Sequence, residues 1–516
     1  MTVEVPAWVG DAVFYQIFPD RFARSSRAQA PGPLEPWDAP PTVHGFKGGD
    51  LSGIAEQLDY LADLGITALL LTPVFSSAAN HRYHTVDYLH VDPLLGGDEG
   101  LRELLDAAHL RGMRVVLDGV FNHSGRGFWP FLHILEAGAA SPYLDWFHLS
   151  DEARRGLRAL VAYPEPAVLE ALNGGVESEG SAGARSEALL GYRAWWDLPA
   201  LPKLNVANPH VRAFLFSVAE HWIRFGADGW RVDVAEEISD GTFWSEFRRR
   251  VKAVNPEAYI VGEIWRVRPA WVAGDRFDGL MNYPLAEAVI GFAAGRHLDL
   301  RVAAQHGELA KEVRHRDGPQ LASRLAELLG AYHPDVNRAQ LNLLGSHDTP
   351  RVRTMCGGDD AAVRLATMLV MTLPGAPSIY YGDEIGLEGE HDPDCRRAFP
   401  WDRSAWNQPF LAFVRRCTSL RAEHPALRGD GYRLLAAAGE ALAYLRVEGD
   451  DVMVVALNAG EEPMDLPVEA VELAGRTLVS ELATHDATSP AVTVAADGRA
   501  NLSLHARSGV TLRGLP

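Results

Sequence analysis

Eight short apolar, β-rich runs alternate with longer helical patterns along this chain, and no other feature constrains its fold as strongly. The runs cover residues 13–18, 68–71, 114–118, 229–232, 259–261, 279–281, 340–343 and 378–380. Eight β/α units in one chain are the arithmetic of a closed parallel barrel, a (β/α)8 TIM barrel of the α/β class. Between the runs lie stripes such as Leu51, Ile54, Leu58, Leu61 and Leu64, whose spacings of three and four predict a helix over 51–64 that faces the barrel.

Two segments break the alternation. Residues 124–205 hold the Gly- and Glu-rich stretch NGGVESEGSAGARSE and the aromatics Tyr192, Trp195 and Trp196. They are too long for an ordinary connection and predict an inserted subdomain on the catalytic face. From about residue 431 the pattern changes to strand alternation, as in ALAYLRV and DVMVVALNA, which predicts a C-terminal antiparallel β-sandwich. The expected domains are therefore a barrel from 1–123 and 206–430, an insertion over 124–205 and a sandwich over 431–516.

Charge and cysteine usage exclude several functions. Sixty-eight acidic against 48 basic side chains leave a formal charge of −20, which repels phosphate backbones and anionic membranes. Neither nucleic acid nor membrane is an expected partner. The N-terminal stretch lacks the basic and apolar regions of a signal peptide, and no run of about 18 apolar residues occurs, so a cytoplasmic location is expected. Cys356, Cys395 and Cys417 have no metal-ligand spacing and are expected to be reduced and structural.

In such a barrel the active site forms where strands end. The third run ends in VVLDGVFNH, with Asp118, Asn122 and His123, and the fourth in GWRVDVAEE, with Arg231, Asp233, Glu236 and Glu237. The fifth ends in YIVGEIW, with Glu263 and Trp265, and the seventh in LLGSHDTPR, with His347, Asp348 and Arg351. A single Asp after a strand is usually a helix cap. A set of carboxylates, histidines and an arginine on one rim is too costly to bury as mere caps. Acid–base chemistry on such a rim needs one carboxylate that stays ionised and one that stays protonated, and environment decides which is which. Arg231 lies two residues before Asp233, on the same side of its strand, and is expected to keep Asp233 ionised. Glu263 has no basic neighbour at that offset, and its flanking Ile264 and Trp265 favour the protonated form.

These motifs, in this order, resemble the conserved regions of the α-amylase superfamily, glycoside hydrolase family 13, over roughly residues 11–425. The resemblance implies a retaining hydrolase of α-1,4 links in maltooligosaccharides and related α-glucans, with pullulan and cyclodextrins as further substrates. It implies Asp233 as nucleophile, Glu263 as proton donor and Asp348 as transition-state stabiliser. Arg231 would orient Asp233, His123 and His347 would bond the sugar at the cleavage point, and Asp118 and Asn122 would brace the rim. The segment NHRYHTVDY is similar to the family's loop whose tyrosine stacks on that sugar, here Tyr83 with His81 beside it. His84 stands where the family often has Asp.

LPKLN at 201–205, together with GEIW, resembles the neopullulanase and cyclomaltodextrinase branch. DPDCRRAFPWD at 392–402 resembles that branch's grip on the next sugar, through Asp392 and Arg396. Glu236, Glu237 and Trp265 are expected on the acceptor side. The loop RFARSSRAQAPGPLEPWD lacks closely spaced oxygen ligands, so no metal or other cofactor is expected and a structural calcium has no support in the residues. A transglycosidase or α-glucosidase of the same family, and a non-catalytic glucan-binding barrel, remain as alternatives; monomer and homodimer are both left open.

Overall fold

The computed structural model describes residues 3–30, 32–173, 183–485 and 491–516. Eight parallel strands form one sheet in chain order: β1 (Phe14–Ile17), β2 (Ala68–Leu71), β3 (Arg114–Gly119), β4 (Gly229–Val232), β5 (Tyr259–Gly262), β6 (Gly279–Leu280), β7 (Leu341–Leu343) and β8 (Ala376–Tyr380). β8 pairs with β1, and a parallel bridge from Met281 to Leu341 joins β6 to β7, so the sheet closes on itself. All eight expected strands are present, two with unchanged bounds and the others with ends shifted by at most two residues.

Strand residues alternate between two environments. Phe14, Ala68, Leu70, Val116, Tyr259, Val261, Met281, Leu341, Leu343 and Ala376 pack together inside the barrel. Their chain neighbours, among them Tyr15, Leu69, Leu117, Trp230 and Ile260, join the core beneath the helices. The barrel is thus filled with side chains from one parity of each strand. Asp118, Arg231, Asp233 and Glu263 share the inward parity and continue that column to the C-terminal mouth.

Leu51, Ile54, Leu58, Leu61 and Leu64 are all fully buried, as their spacing demands. The expected single helix is nevertheless two, Leu51–Glu56 and Leu58–Asp63, because Gln57 between them takes φ −104° and ψ 6°. Asp50 caps the first through the backbone N–H of Gly53.

The segment 124–205 carries the helices Trp129–Ala137, Pro166–Asn173 and Ala184–Leu190. Antiparallel bridges from His123 to Lys203 and from Phe147 to Leu204 sew its two ends together beside the end of β3. Much of its Gly- and Glu-rich stretch, residues 174–182, lies outside the described residues.

At the C-terminus β9 (Tyr432–Ala438), β10 (Ala441–Glu448), β11 (Asp451–Asn458), β12 (Met464–Glu469), β13 (Thr477–Ala483), β14 (Val492–Thr493), β15 (Arg499–Leu504) and β16 (Ser508–Leu515) are antiparallel. Six of them form a sheet in the order β9-β10-β11-β16-β13-β14, and β12 pairs with β15. Leu442, Tyr444, Met453, Val455 and Leu457 face the barrel core, while Ala443, Leu445, Val452 and Val454 pack against Leu466, Val468, Leu502 and Leu504. Both layers of a sandwich are therefore accounted for. Among the described residues no helix is long and apolar enough to cross a membrane.

One polar contact pins the barrel seam. Glu384, just after β8, accepts from Tyr15 of β1 at 2.8 Å, from Tyr60 at 2.6 Å and from the Gly382 N–H at 2.9 Å. Burial pushes its carboxyl up to about 7, with the two tyrosine hydroxyls and its own backbone N–H pulling the other way. The folded state therefore holds this proton more tightly than the unfolded chain, whose glutamates titrate near ~4.3. The Glu384 contribution to stability is complete below that value and is withdrawn as pH rises towards 7. Tyr60→Phe removes one donor from the buried carboxylate and should cost about 1.5–3 kcal/mol. Denaturant unfolding should show a larger loss at pH 8 than at pH 5.

Candidate active site

The centre of the mouth is the Arg231 guanidinium, which is buried completely. Its Nη1 donates to both oxygens of Asp118, at 2.8 and 2.9 Å, and to Asp233 Oδ1 at 3.0 Å. Its Nη2 lies 3.0 Å from Glu263 Oε2. The reading of Arg231 and Asp233 as neighbours on one strand face holds. Glu263 likewise has no basic residue two positions before it, where Val261 stands, but β4 and β5 are adjacent and Arg231 reaches across to it.

That cross-strand contact changes the electrostatics. One positive charge is divided among three carboxylates, so it cannot by itself hold Asp233 ionised. Burial drives the Asp233 carboxyl well above the ordinary carboxylate range; Arg231 opposes this, while Glu263, Asp118 and Asp348 reinforce it. Asp118 is pushed up to about 6, again by burial and against Arg231. Full ionisation would leave an excess of two negative charges in a buried pocket, so the cluster shares protons as a unit.

The oxygens of the two central carboxyls are used unequally. Asp233 Oδ1 is held by Arg231, while Asp233 Oδ2 is buried and has no hydrogen-bond partner. Glu263 Oε2 accepts from the Val234 N–H at 2.8 Å and is ion-paired with Arg231 Nη2, which makes no hydrogen bond of its own, and Oε1 accepts only a 3.2 Å bond from the Trp265 indole. Asp233 Oδ2 is thus the unengaged oxygen of its carboxyl, and Glu263 Oε1 the less engaged oxygen of the other. Two carboxyls on opposite terminal nitrogens of one guanidinium suit the retaining arrangement, which needs a separation of ~5 Å.

Around them the rim is aromatic. The Tyr83 hydroxyl donates to Asp118 at 2.8 Å and lies 2.6 Å from His347 Nε2, with the two rings stacked at 8°. His81 stacks on Tyr83, and its Nδ1 accepts the Tyr83 backbone N–H. The His84 ring sits edge-on to His81. Burial, helped by Arg396 and Arg231, keeps His347 well below the usual histidine range, and burial pushes His123 down to about 3. Both imidazoles are neutral at physiological pH. Asn122 lies 3.3 Å from His123 Nδ1, while His123 Nε2 has no partner.

Asp348 is 3.2 Å from His347 Nε2 and 3.3 Å from Arg396, and 28% of its side chain is exposed at the mouth. Arg396 also donates to the His347 carbonyl and pairs with Asp392 at 3.0 Å. Asp392 and Arg396 are therefore joined to the main cluster through Asp348. Glu237 is paired with Lys203 at 2.8 Å, and Glu236 with Arg268 at 2.7 Å. Trp265, expected to line the acceptor side, has one face on Tyr283 at 3.6 Å and the other on His306 at 4.5 Å. With both faces covered and its N–H on Glu263, it holds the carboxyl in place.

Sequence reasoning missed Gln16, 3.4 Å from His347 Nδ1, and Tyr283, which supports Trp265. It also left out Lys203, although the LPKLN segment containing it was noted. Gln16 could have been found by inward parity on β1; Tyr283, after the very short β6, gave no local signal. Among the described residues no group of three or more His, Cys, Asp or Glu side chains could hold a metal ion.

A (β/α)8 barrel with paired carboxyls around one arginine at its C-terminal mouth defines a glycoside hydrolase of the retaining type. A family model described as the α-amylase catalytic domain matches residues 16–423, and the chain belongs to the α-amylase family. It is 41% identical over 483 residues to the cyclomaltodextrinase of Geobacillus thermopakistaniensis, covering 93% of this chain and 74% of that protein. Two solved structures are similar along almost their whole length. Ttha1563 from Thermus thermophilus is 46% identical with a TM-score of 0.86, covering 98% of this chain and 99% of that one. The native Nostoc punctiforme debranching enzyme is 43% identical with a TM-score of 0.86, covering 99% and 100%.

Val234 connects strain to chemistry. Its φ of 39° is in the left-handed region, an outlier for a β-branched residue, and its N–H holds Glu263. Val234→Gly relaxes that strain. Its unfolding free energy should be no lower than wild type, while kcat should fall by roughly 10- to 100-fold as the N–H that glycine keeps there is less rigidly aimed at Glu263. Steady-state kinetics beside a denaturant curve would check both halves.

Proposed function

We propose that the protein hydrolyses α-1,4-glucosidic bonds of maltooligosaccharides and related α-glucans, with net retention, through a covalent glycosyl-enzyme. The single observation that carries this reading is the buried, unpartnered Oδ2 of Asp233 beside a second carboxyl held by the same arginine. With the cluster's proton on Glu263 Oε1 and Asp233 left as carboxylate, Asp233 Oδ2 attacks the anomeric carbon as Glu263 gives that proton to the departing oxygen. Water, deprotonated by Glu263, then breaks the ester to Asp233. Asp348 with His347, and His123, contact the sugar hydroxyls, while Tyr83 and His81 supply its stacking surface. Asp392 and Arg396 hold the neighbouring sugar on the non-reducing side, and Glu237 with Lys203 lies on the acceptor side. The chemistry draws on carboxyls alone and calls for no metal. Three buried, unpaired cysteines support a reducing, cytoplasmic setting.

Cleavage of α-1,6 links is a second reading. It is favoured by likeness to the Nostoc punctiforme debranching enzyme, which this chain matches over 99% of its own length. Time courses on maltotriose, pullulan, β-cyclodextrin and a branched maltooligosaccharide would separate the two, and products longer than maltotriose would reveal transfer in place of hydrolysis.

Glu263→Gln should lower kcat on maltotriose by about 10²–10⁴-fold. It should retain far more activity on a glucosyl fluoride, whose leaving group needs no proton. Asp233→Asn should abolish turnover of both. Unchanged maltotriose cleavage by Asp233→Asn would refute the assignment.

A further inference from the structure

A stack of three rings leads from the site to the surface of the segment 124–205. Buried His123 lies against Trp195, with centroids 5.0 Å apart and planes at 11°, and Trp195 lies against Trp196 at 5.0 Å and 12°. The outermost ring is 59% exposed, one of the larger exposures of any aromatic residue among those described. Neither face of Trp195 is free, so the outer face of Trp196 is the only broad apolar surface this stack presents to solvent.

The backbone holds that ring out at a cost. Trp196 has φ 52° and Asp197 φ 54°, two successive non-glycine residues in the left-handed region. A bulky side chain rarely adopts this conformation unless its surroundings enforce it. Here they do. Asp197 Oδ1 accepts the Ser186 N–H at 2.8 Å, the Trp195 N–H donates to the Leu201 carbonyl, and the Leu198 N–H donates to the Trp195 carbonyl. The same segment continues into Lys203, which pairs with Glu237 at the mouth. The exposed ring is therefore continuous with the active-site rim by stacking at one end and by chain at the other.

We propose that Trp196 is the platform of a glucan subsite remote from the cleavage point. An aromatic face suits the apolar C–H face of a pyranose. Its place two ring spacings beyond His123 puts it out of reach of the sugar at the catalytic centre. It serves a residue further along a longer chain, and so sets chain-length preference. This rests on the α-glucan reading given above.

The test compares KM for maltoheptaose and for maltotriose. Trp196→Ala should raise the ratio of the two KM values by about five- to tenfold, with kcat on maltoheptaose within about twofold of wild type. Trp196→Tyr, which keeps a smaller aromatic face, should restore most of the difference. Trp196→Gln gives the same reading should the alanine variant melt early. A ratio that stays at the wild-type value in the alanine and glutamine variants overturns the proposal, as does a tyrosine variant as impaired as alanine. A changed gel-filtration volume with an unmoved ratio would make Trp196 a contact between copies of the chain, and overturns it too. If the wild-type protein cleaves no α-glucan at all, the functional reading itself fails; if it cleaves both substrates and the ratio does not move, only the subsite fails.

Discussion

A guanidinium buried at the mouth of a barrel needs anions around it, and each anion so gathered raises the energy of the others. Arg231 sits at that balance point. It holds Asp118 with both oxygens engaged, takes one oxygen each from Asp233 and Glu263, and lies against the Tyr83 hydroxyl. Removing it would leave three carboxyls facing one another without a counter-charge, and no packing of the barrel could compensate. The surplus negative charge is what makes the site fit to meet the positive charge that grows on a sugar ring as its bond breaks.

Placing that arginine so accurately is the work of the barrel floor. Below it the lumen is filled with Val116 of β3, Tyr259 and Val261 of β5, Met281 just after β6 and Leu341 of β7. Gly229 at the start of β4 belongs to the same argument. A Cβ there would come within 2.2 Å of the Tyr259 carbonyl, so only glycine lets the two strands run at this separation. On the far side, Glu384 with Tyr15 and Tyr60 ties the last strand to the first.

Most of the architecture was legible because it rests on local pattern. Strands buried on both faces read as apolar runs, and the parity of Arg231 and Asp233 follows from the two-residue repeat of a strand. What the residues alone could not reveal depends on contacts between distant parts of the chain. Arg231 meets Glu263 only because β4 and β5 are neighbours; His123 meets Trp195 only because the insertion folds back; Glu384 finds Tyr15 across 369 positions. Trp265 shows the same limit differently. Its place beside Glu263 was evident, but Tyr283 and His306, which cover its faces, come from other elements.

The alternation of environments along β4 has a consequence for how such a chain can change over time. Trp230 and Val232 belong to the layer under the helices, while Arg231 and Asp233 belong to the mouth, and the two sets interleave residue by residue. Loss or gain of a single codon here would exchange them, seating an indole where the cation belongs and turning the charges into grease. Insertions can accumulate freely in the connections above the mouth, so novelty in sugar preference is expected to enter through loop length, with the strand itself admitting only substitution.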